Sequence, residues 1–429
     1  MRILLLLAYQ CFAGWSFGQH RTVAIKCGSL LNTRTGEVLH SQVIVLDDHV
    51  IKSVQPLASF SLRTDTVIDL SAYFVMPGLI DCHTHVLLQG DITSDDYAVQ
   101  LLKESIPYRT LRASRSCNIA LQNGFTTIRD LETEGAMYAD VDLKKAIKNG
   151  IIPGPRMFVS TRAINTVGHY PLSPREFNWE LDLPKGIQEI NGADEARKAV
   201  REQVAGGADW IKVYADRGYY RLPDGTYHSS PNFTAAEIEA VADETAKSRK
   251  RLAAHAVTPD GIIYSVNAGA RSIEHGFGMN AECIKLMVQK NVFWCPTIYV
   301  CAYVAEGRAK EGSPINKYFM ESFPEVFRKA LDGGVKIAYG TDIGGYSWNE
   351  PEAKDFGYMV KWGMNNLQAI QTATLTAAQL LEQEDFIGEI KPDAFADIIA
   401  VKGNPLENIQ LLEQVQGVMK NGQVYKTPH

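Results

Sequence analysis

Eight short apolar runs, each followed by a loop and an amphipathic segment, alternate along the middle of this 429-residue chain. Strands that alternate with helical segments in this way predict parallel β/α units. Eight units in series favour a closed (β/α)8 TIM barrel over an open doubly wound sheet, and no glycine-rich phosphate fingerprint follows the first run. The runs are VMPGLIDCHTH, FTTIRD, RMFVSTR, DWIKVYAD, RLAAHA, RSIEHG, VFWCPTI and VKIAYGTD.

Short alternating strands and turns occupy both ends of the chain, outside these units. Segments 19–75 and 388–429 share this texture, which is typical of a small β module. We therefore expect the two ends to fold together, as one sheet or as a small β-sandwich domain, beside an α/β barrel of residues 76–387.

Local signals within the barrel predict helix starts and long loops. Thr234 with Glu237 fits a capping box, and Thr258 precedes a proline at the first helical position of the next helix. Long turn-rich stretches are predicted to be loops, and in a barrel the loops after the strands wall the active-site face. They span residues 163–191, 217–231 and 305–313.

The N-terminus resembles a secretory signal peptide. Arg2 precedes an apolar stretch at residues 3–8, and the small residues Ser16 and Gly18 fit a cleavage site. The stretch is far shorter than the ~20 apolar residues that span a bilayer. Residues 1–18 are therefore predicted to be removed, and the mature protein to be periplasmic or secreted, without a stable membrane span.

The composition is that of a soluble globular enzyme, with 45% hydrophobic and 21% charged residues. The net charge is −6 and no basic block is present, so nucleic acid is not expected as a partner. A small-molecule substrate is expected instead, and the sequence leaves a homo-oligomer open. Six cysteines follow the predicted cleavage site without CxxC spacing, and we expect them to be mostly buried packing residues.

Polar side chains that can bind a metal end five of the eight runs. His83 and His85 lie one residue apart at the end of the first run, so strand alternation points both to the same side. The other four runs contribute Lys212, His255, His275 and Asp342. Folding would bring all six to one mouth of the barrel, where they would be costly to bury unless they bound something. A divalent cation is the simplest partner for such a set.

This pattern resembles the amidohydrolase superfamily, in the branch of imidazolonepropionases and Xaa-Pro dipeptidases (prolidases). The likeness covers nearly the whole mature chain, through MPGLIDCHTH, GFTTIRDLE, GADWIKVYAD, IEHG, YGTD and IGEIKPDAFADIIAVKGNPLENI. It implies a metal-dependent hydrolase with two divalent ions, commonly Zn²⁺, with Mn²⁺ or Co²⁺ as alternatives. One ion would bind His83, His85 and Asp342, and the other would bind His255 and His275.

The resemblance also implies that Lys212 bridges the two ions after carboxylation. A free lysine is protonated near neutral pH and cannot ligate, whereas its carbamate is an anionic oxygen ligand. The alternative is a salt-bridging lysine beside a single ion. Two ions would lower the pKa of a shared water toward ~7. Asp342 would accept a proton from this water and pass it to the leaving amine.

Three further residues are predicted to contact the substrate. His169 matches a Gly-His segment of the family near the bound carbonyl, and Tyr214 would hydrogen-bond the tetrahedral intermediate. Arg217 would hold a free carboxylate through a bidentate contact, whereas Arg221 is expected to be a surface charge. Aromatic residues of the loops predict an apolar subsite or lid packing: Tyr170, Tyr219, Tyr220, Tyr346 and Trp348.

The leading hypothesis is a hydrolase that uses a metal-bound hydroxide to cleave an amide bond, in a dipeptide or an N-acyl amino acid with a free carboxylate. A second hypothesis keeps this chemistry but moves it to a cyclic amide, an ester, a lactone or a phosphoester. A third is a metal-holding barrel that binds a ligand without turning it over. The complete set of six candidate ligands argues against the third.

Overall fold

The computed structural model describes residues 22–61, 64–169, 178 and 180–428. The predicted signal peptide and Tyr170 lie outside the described residues. None of the helices in the described ranges is long and apolar enough to cross a membrane.

The strands of the described residues fall into a terminal sheet, the barrel and a hairpin. Their bounds are β1 (Thr22–Leu31), β2 (Val38–Asp47), β3 (Val50–Pro56), β4 (Thr66–Pro77), β5 (Leu79–Thr84), β6 (Phe125–Asp130), β7 (Arg156–Val159), β8 (Ile164–Thr166), β9 (Gln188–Ile190), β10 (Trp210–Tyr214), β11 (Asp216–Arg221), β12 (Tyr227–Pro231), β13 (Arg251–Ala256), β14 (Ser272–His275), β15 (Phe293–Cys295), β16 (Lys336–Ile337), β17 (Ile398–Val401), β18 (Gly417–Lys420) and β19 (Gln423–Lys426).

The helices lie between the barrel strands and after the last of them. Their bounds are α1 (Ser94–Lys103), α2 (Ile106–Gln122), α3 (Ala139–Lys148), α4 (Ala193–Gly206), α5 (Ala235–Lys247), α6 (Pro259–Ala268), α7 (Ala281–Lys290), α8 (Ile298–Lys310), α9 (Ile315–Asp332), α10 (Lys354–Lys361), α11 (Asn366–Gln371) and α12 (Ala377–Leu380). A π-helical turn joins α11 to α12, and short 3₁₀ helices lie at Leu57–Ser59 and Ile409–Gln414.

Both ends of the chain form one sheet, as the sequence predicts. Its strand order is β19-β18-β17-β4-β1-β2-β3. The C-terminal part joins the N-terminal part where β17 pairs antiparallel with β4, with Ile399 opposite Met76. Buried apolar residues such as Ile25 and Ile44 fill the core beside this sheet.

The predicted barrel is confirmed, with β5, β6, β7, β10, β13, β14, β15 and β16 as its strands. Neighbouring strands pair in parallel within two arcs, β5-β6-β7 and β10-β13-β14-β15-β16. Backbone hydrogen bonds close the ring between these arcs. The amide of Asp209 donates to Val159 O over 2.8 Å, and the amide of Cys82 donates to Tyr339 O over 2.8 Å.

The apolar run that opens the barrel belongs to two sheets, which differs from the single strand expected. Strand β4 of the terminal sheet ends at Pro77, and barrel strand β5 begins at Leu79. Gly78 lies between them so tightly that a Cβ there would come within 2.2 Å of Thr126 Oγ1. The glycine therefore allows the chain to pass from one sheet to the other without a loop.

All three stretches predicted to be loops contain regular structure. Residues 217–231 form most of the β11–β12 hairpin, and residues 163–191 include β8 and β9. Most of residues 305–313 continue helix α8, so the loop expected there is wrong. Gly307, within this stretch, is a point of close contact: a Cβ on it would lie 2.2 Å from Ile92 Cγ2.

Local predictions elsewhere are confirmed. Thr234 and Glu237 form the capping box of α5. Thr258 is the N-cap residue of α6, but its hydroxyl donates to Asp216 Oδ2 over 3.0 Å instead of capping the helix. The six described cysteines are all free and buried.

Candidate active site

The six candidate metal ligands gather at one mouth of the barrel. His83, Lys212, His255 and His275 are buried near the carboxyl ends of their strands, and His85 and Asp342 follow the ends of β5 and β16. Their side chains form a continuous set. Ring centroids are 5.0 Å apart between His83 and His275 and 4.4 Å apart between His255 and His275.

Four of these residues converge closely enough to hold one ion. His83 Nε2 lies 3.3 Å from His85 Nε2, and Asp342 Oδ1 lies 3.6 Å and 3.1 Å from these two atoms. A tetrahedral ion bound at about 2.0–2.1 Å separates its ligand atoms by about 3.3–3.4 Å. Ligand atoms of His83, His275 and Asp342 also lie within 4.8 Å of one another. The donor set therefore fits a divalent metal.

A buried carboxylate fixes the orientation of His83. Glu274 Oε2 lies 2.9 Å from His83 Nδ1, and both side chains are fully buried. The other Glu274 oxygen accepts from Arg129 Nη2 over 2.9 Å, and Arg129 also donates to the carbonyl oxygen of Cys82 over 2.6 Å. A carboxylate on one ring nitrogen orients the imidazole and leaves the other nitrogen for a metal. Arg129, Glu274 and His83 form what we call the His83 support.

Sequence reasoning missed Glu274 and Arg129, although both lie inside quoted motifs. Strand alternation predicts that Glu274 and His275 face opposite sides of β14. His275 has a φ of 73°, and this left-handed turn departs from the regular strand, so both neighbours serve the same site. A carboxylate directly before a strand-end histidine was the available signal.

Left-handed backbone recurs at the mouth. His275, Thr297 and Asp342 have φ values of 73°, 46° and 61°, a conformation that costs about 1–3 kcal/mol in a non-glycine residue. Thr297 supports the site, since its Oγ1 lies 2.8 Å from His275 Nδ1. Gly344 meets a tighter constraint, because a Cβ there would lie 2.2 Å from the carbonyl oxygen of His85.

Burial lowers the pKa of three of the candidate ligands. It holds the pKa of His83 and of His255 well below the ordinary value, with the charge of Lys212 adding to the effect on both. Burial also lowers the pKa of Lys212, against the opposing charges of Glu274 and Asp342. Neutral imidazoles are the metal-binding form, and a neutral amine is the form of lysine that reacts with carbon dioxide.

His255 and Lys212 lie beside the four converging residues. The hydroxyl of Tyr219 contacts His255 Nε2, and Lys212 Nζ lies 5.8 Å from the centre of the Tyr214 ring. The geometry thus supports one metal position directly. A second position at His255, and the Lys212 bridge, stay predictions.

A cavity of about 390 Å³ opens at these residues. His255, His275 and Asp342 line it together with Tyr214 and Arg217. The Arg217 guanidinium lies 4.3 Å from the centre of the Tyr214 ring, and the Tyr214 hydroxyl donates to Glu132 Oε2 over 2.6 Å. Cavities of this size hold small molecules.

The other predicted substrate contacts are not all at the cavity. His169 is exposed after β8, where Thr166 Oγ1 lies 2.9 Å from its Nδ1, and it is not among the lining residues. Its catalytic role stays a prediction. Tyr346 and Trp348 are fully buried as packing, and Tyr220 is 49% exposed. Of the described loop aromatics expected at the subsite, Tyr219 lines the cavity.

Comparisons with known proteins agree with this site. The sequence profile of the amidohydrolase family matches residues 74–425. Ochratoxinase from Aspergillus niger is 31% identical, over 95% of this chain and 87% of its own length. A Xaa-Pro dipeptidase crystallised with methionine in its active site is 32% identical, over 94% of this chain and all of its own, with a TM-score of 0.83.

A second solved relative is a prolidase in complex with N-methylphosphonate-L-proline. It is 27% identical, over 95% of this chain and all of its own, and its TM-score is also 0.83. The likeness covers the barrel and the terminal sheet together, and it agrees with the cluster of His83, His275 and Asp342. The chain therefore belongs to the amidohydrolase family and is a metal-dependent hydrolase of carbon–nitrogen bonds.

Proposed function

We propose that the protein hydrolyses the amide bond of dipeptides or N-acyl amino acids that carry a free carboxylate. The observation that carries this proposal is the guanidinium of Arg217. It lines the same cavity as His255, His275 and Asp342, and no carboxylate in the described ranges forms an ion pair with it. Arg308, the other arginine of the cavity, is already paired with Asp91 at 3.0 Å.

An unpaired arginine beside a cavity is suited to an anionic ligand. Its planar donors match the two oxygens of a carboxylate, and its Nε is buried without a hydrogen-bond partner. Stacking on Tyr214 fixes the guanidinium plane. The names of the solved relatives, a Xaa-Pro dipeptidase and a prolidase, agree with a substrate of this kind.

Two divalent ions, Zn²⁺ first and Mn²⁺ or Co²⁺ as alternatives, are proposed for the centre. His83, His85 and Asp342 would hold one, His255 and His275 the other, and carboxylated Lys212 would join them. When bound, such ions supply a water of lowered pKa and polarise the scissile carbonyl. Asp342 is proposed to accept the proton of the attacking water at a carboxylate oxygen and to deliver it to the departing amine.

Tyr214 and Arg217 have complementary proposed roles. Arg217 binds the substrate carboxylate, and the ring of Tyr214 stacks on the guanidinium and holds it in place. The Tyr214 hydroxyl is engaged with Glu132, so contact with the tetrahedral intermediate would require the hydroxyl to leave that carboxylate.

The test compares N-acetyl-L-leucine with its C-terminal amide, which lacks the negative charge, on zinc- or manganese-loaded protein. Arg217→Met should lower kcat/KM for the acid by ~100-fold, because a buried charge pair loses one partner, and should change the amide little. Arg221→Met is the matched control on the same hairpin: Arg221 is more exposed and lies 3.9 Å from Glu321. Asp342→Asn should abolish both activities.

Two results would count against the proposal. An equal loss on acid and amide in Arg217→Met would show that Arg217 does not bind the carboxylate. Turnover by Asp342→Asn at the native rate would remove the proposed proton transfer.

A further inference from the structure

We propose that the cavity selects substrates whose acyl part is large and apolar. This inference rests on the proposed function, and it adds the chemical class of the acyl group. The selecting surface is formed by Phe277, Val300, Val304, Ile315 and Phe319, all of which line the cavity. We call these five residues the apolar wall.

The apolar wall is a packed surface that adjoins the metal ligands. The Phe277 ring centroid is 5.5 Å from that of His275 and 5.6 Å from that of Phe319. Phe319 is 1% exposed and Phe277 is 6% exposed, and Phe323 supports Phe277 from behind at 5.1 Å. An acyl group that enters here contacts apolar side chains that are already packed against one another.

In strand order around the mouth, the histidines lie between Arg217 and most of the apolar wall. Phe319 is the exception, because it also packs against Tyr219 of the β11–β12 hairpin, with ring centroids 6.1 Å apart. Around the mouth, Tyr214 ends β10 and Arg217 follows it, His255 is on β13, and His275 ends β14. Phe277 follows β14, and Val300 and Val304 are on α8 after β15. A substrate that spans the mouth therefore meets a cation at one end and the apolar wall at the other.

An N-acyl amino acid can bind across the mouth in one orientation, with its carboxylate on Arg217 and its acyl group on the apolar wall. Its carboxylate is attached to the amine side of the amide, and its acyl group is attached to the carbonyl. With the carboxylate on Arg217 and the carbonyl at the metal ligands, the acyl group reaches the apolar wall. Burying a methylene there is favourable by an amount that corresponds to about four-fold in affinity.

The acidic residues of the cavity do not oppose an apolar acyl group. Asp91 is paired with Arg308, and Glu134 accepts a hydrogen bond from Tyr97 over 2.6 Å. Asp95 also lines the cavity but is an exposed residue of α1. Asp91 and Glu134 therefore each have a polar partner of their own beside the cavity.

The experiment measures kcat/KM for acetyl-, butanoyl-, hexanoyl- and benzoyl-L-leucine on zinc- or manganese-loaded protein. We expect a rise of about four-fold for each added methylene until the cavity is filled. Val304→Trp and Ile315→Trp fill the cavity from α8 and α9. They should lower kcat/KM for the hexanoyl and benzoyl substrates at least ten-fold more than kcat/KM for the acetyl substrate, which is too small to reach the filled space.

The acetyl substrate reports folding within the same assay, and Val288→Trp is a surface control at an exposed position of α7. Equal kcat/KM along the series, with the acetyl substrate cleaved, would overturn the inference and leave the proposed function intact. Absence of turnover on every substrate, with metal bound, would overturn the proposed function. Calorimetric binding of the same series then tests the apolar wall, because affinity that does not rise with acyl size contradicts it.

Discussion

Glu274 contacts the candidate metal ligand His83 and would act on a bound metal only through that ring, which makes it a positioning residue. It holds His83 Nδ1 and receives the Arg129 guanidinium, so the His83 support fixes the ring that faces Asp342. Glu274→Gln should therefore weaken Zn²⁺ binding by about 10–100-fold, a loss typical when such a partner of a metal ligand is changed. Competition with a chromophoric chelator measures the affinity directly. Glu282→Gln, on the first turn of α7, is the control.

A charge left unpaired complicates this substitution. Glu274→Gln strands Arg129, which is fully buried, and losing the partner of a buried charge costs about 3–5 kcal/mol. The double variant Arg129→Gln/Glu274→Gln removes both charges and should recover part of that stability without recovering the metal affinity. Native affinity in the double variant would show that Glu274 serves only to neutralise Arg129.

Elements differ in how far the sequence predicts them. All eight barrel strands could be predicted, because each is an apolar run bounded by turn residues. The candidate ligands could be assigned for the same reason, because His83 and Asp342 are polar residues at the ends of apolar runs. The fold and most of the metal cluster were therefore within reach of the sequence.

Other features depend on contacts between distant segments. The run through Gly78 looks continuous, and only the packing against Thr126 reveals that it changes sheets. The stretch around Gly307 is predicted from sequence to be a loop, but this glycine makes a close contact inside α8. The apolar wall combines Phe277, Val304 and Phe319 from three separate segments, none of which carries a motif. Such features arise from tertiary packing, which local hydrophobic periodicity does not predict.

Strand β18 carries a lysine whose protonation should change stability. Lys420 is 5% exposed and donates to the carbonyl oxygen of Gly154. Burial, reinforced by the charge of Arg156, lowers its pKa to about 8. In the unfolded chain the same amine keeps its proton up to a pH of about 10.5. Between pH 8 and pH 10.5 the unfolded state therefore binds more protons than the folded state. The free energy of unfolding rises with pH across this range as a result.

Lys420→Met should therefore stabilise the protein at pH 7. The buried charge costs about 3 kcal/mol there, and losing the hydrogen bond to Gly154 offsets about 1 kcal/mol. A net gain of about 2 kcal/mol is expected at pH 7, falling to nearly zero at pH 10. Urea denaturation at both pH values measures it, with exposed Lys402→Met as control. A gain that is the same at both values would contradict the assignment.

At the scale of the whole molecule, the barrel and the terminal sheet share a hydrophobic core that includes Met76, Ile399 and Val418, and polar contacts reinforce this junction. Asp397, directly before β17, pairs with Arg156 at the start of β7, and its other oxygen accepts from the Asn421 amide over 2.8 Å. The side chain of Asp397 is 4% exposed, and that of Arg156 is 17% exposed. A second pair, Arg34 with Glu389, joins the ends of the chain at the surface, where Arg34 is 63% exposed. The two pairs offer a comparison of burial at similar geometry.

Asp397→Asn should loosen the sheet from the barrel. It leaves Arg156 without its counter-charge, and the free energy of unfolding should fall by about 2–3 kcal/mol. Glu389→Gln at the exposed pair should lower it by less than about 1 kcal/mol.

Two spectroscopic probes separate the barrel from the sheet. The described tryptophans, Trp210, Trp294, Trp348 and Trp362, all lie outside the terminal sheet, so their fluorescence reports the barrel, while far-UV circular dichroism reports both parts. In the native protein the two urea transitions should coincide. In Asp397→Asn the dichroism transition should begin at lower urea than the fluorescence transition. Coincident transitions in the variant would show that the pair does not couple the sheet to the barrel.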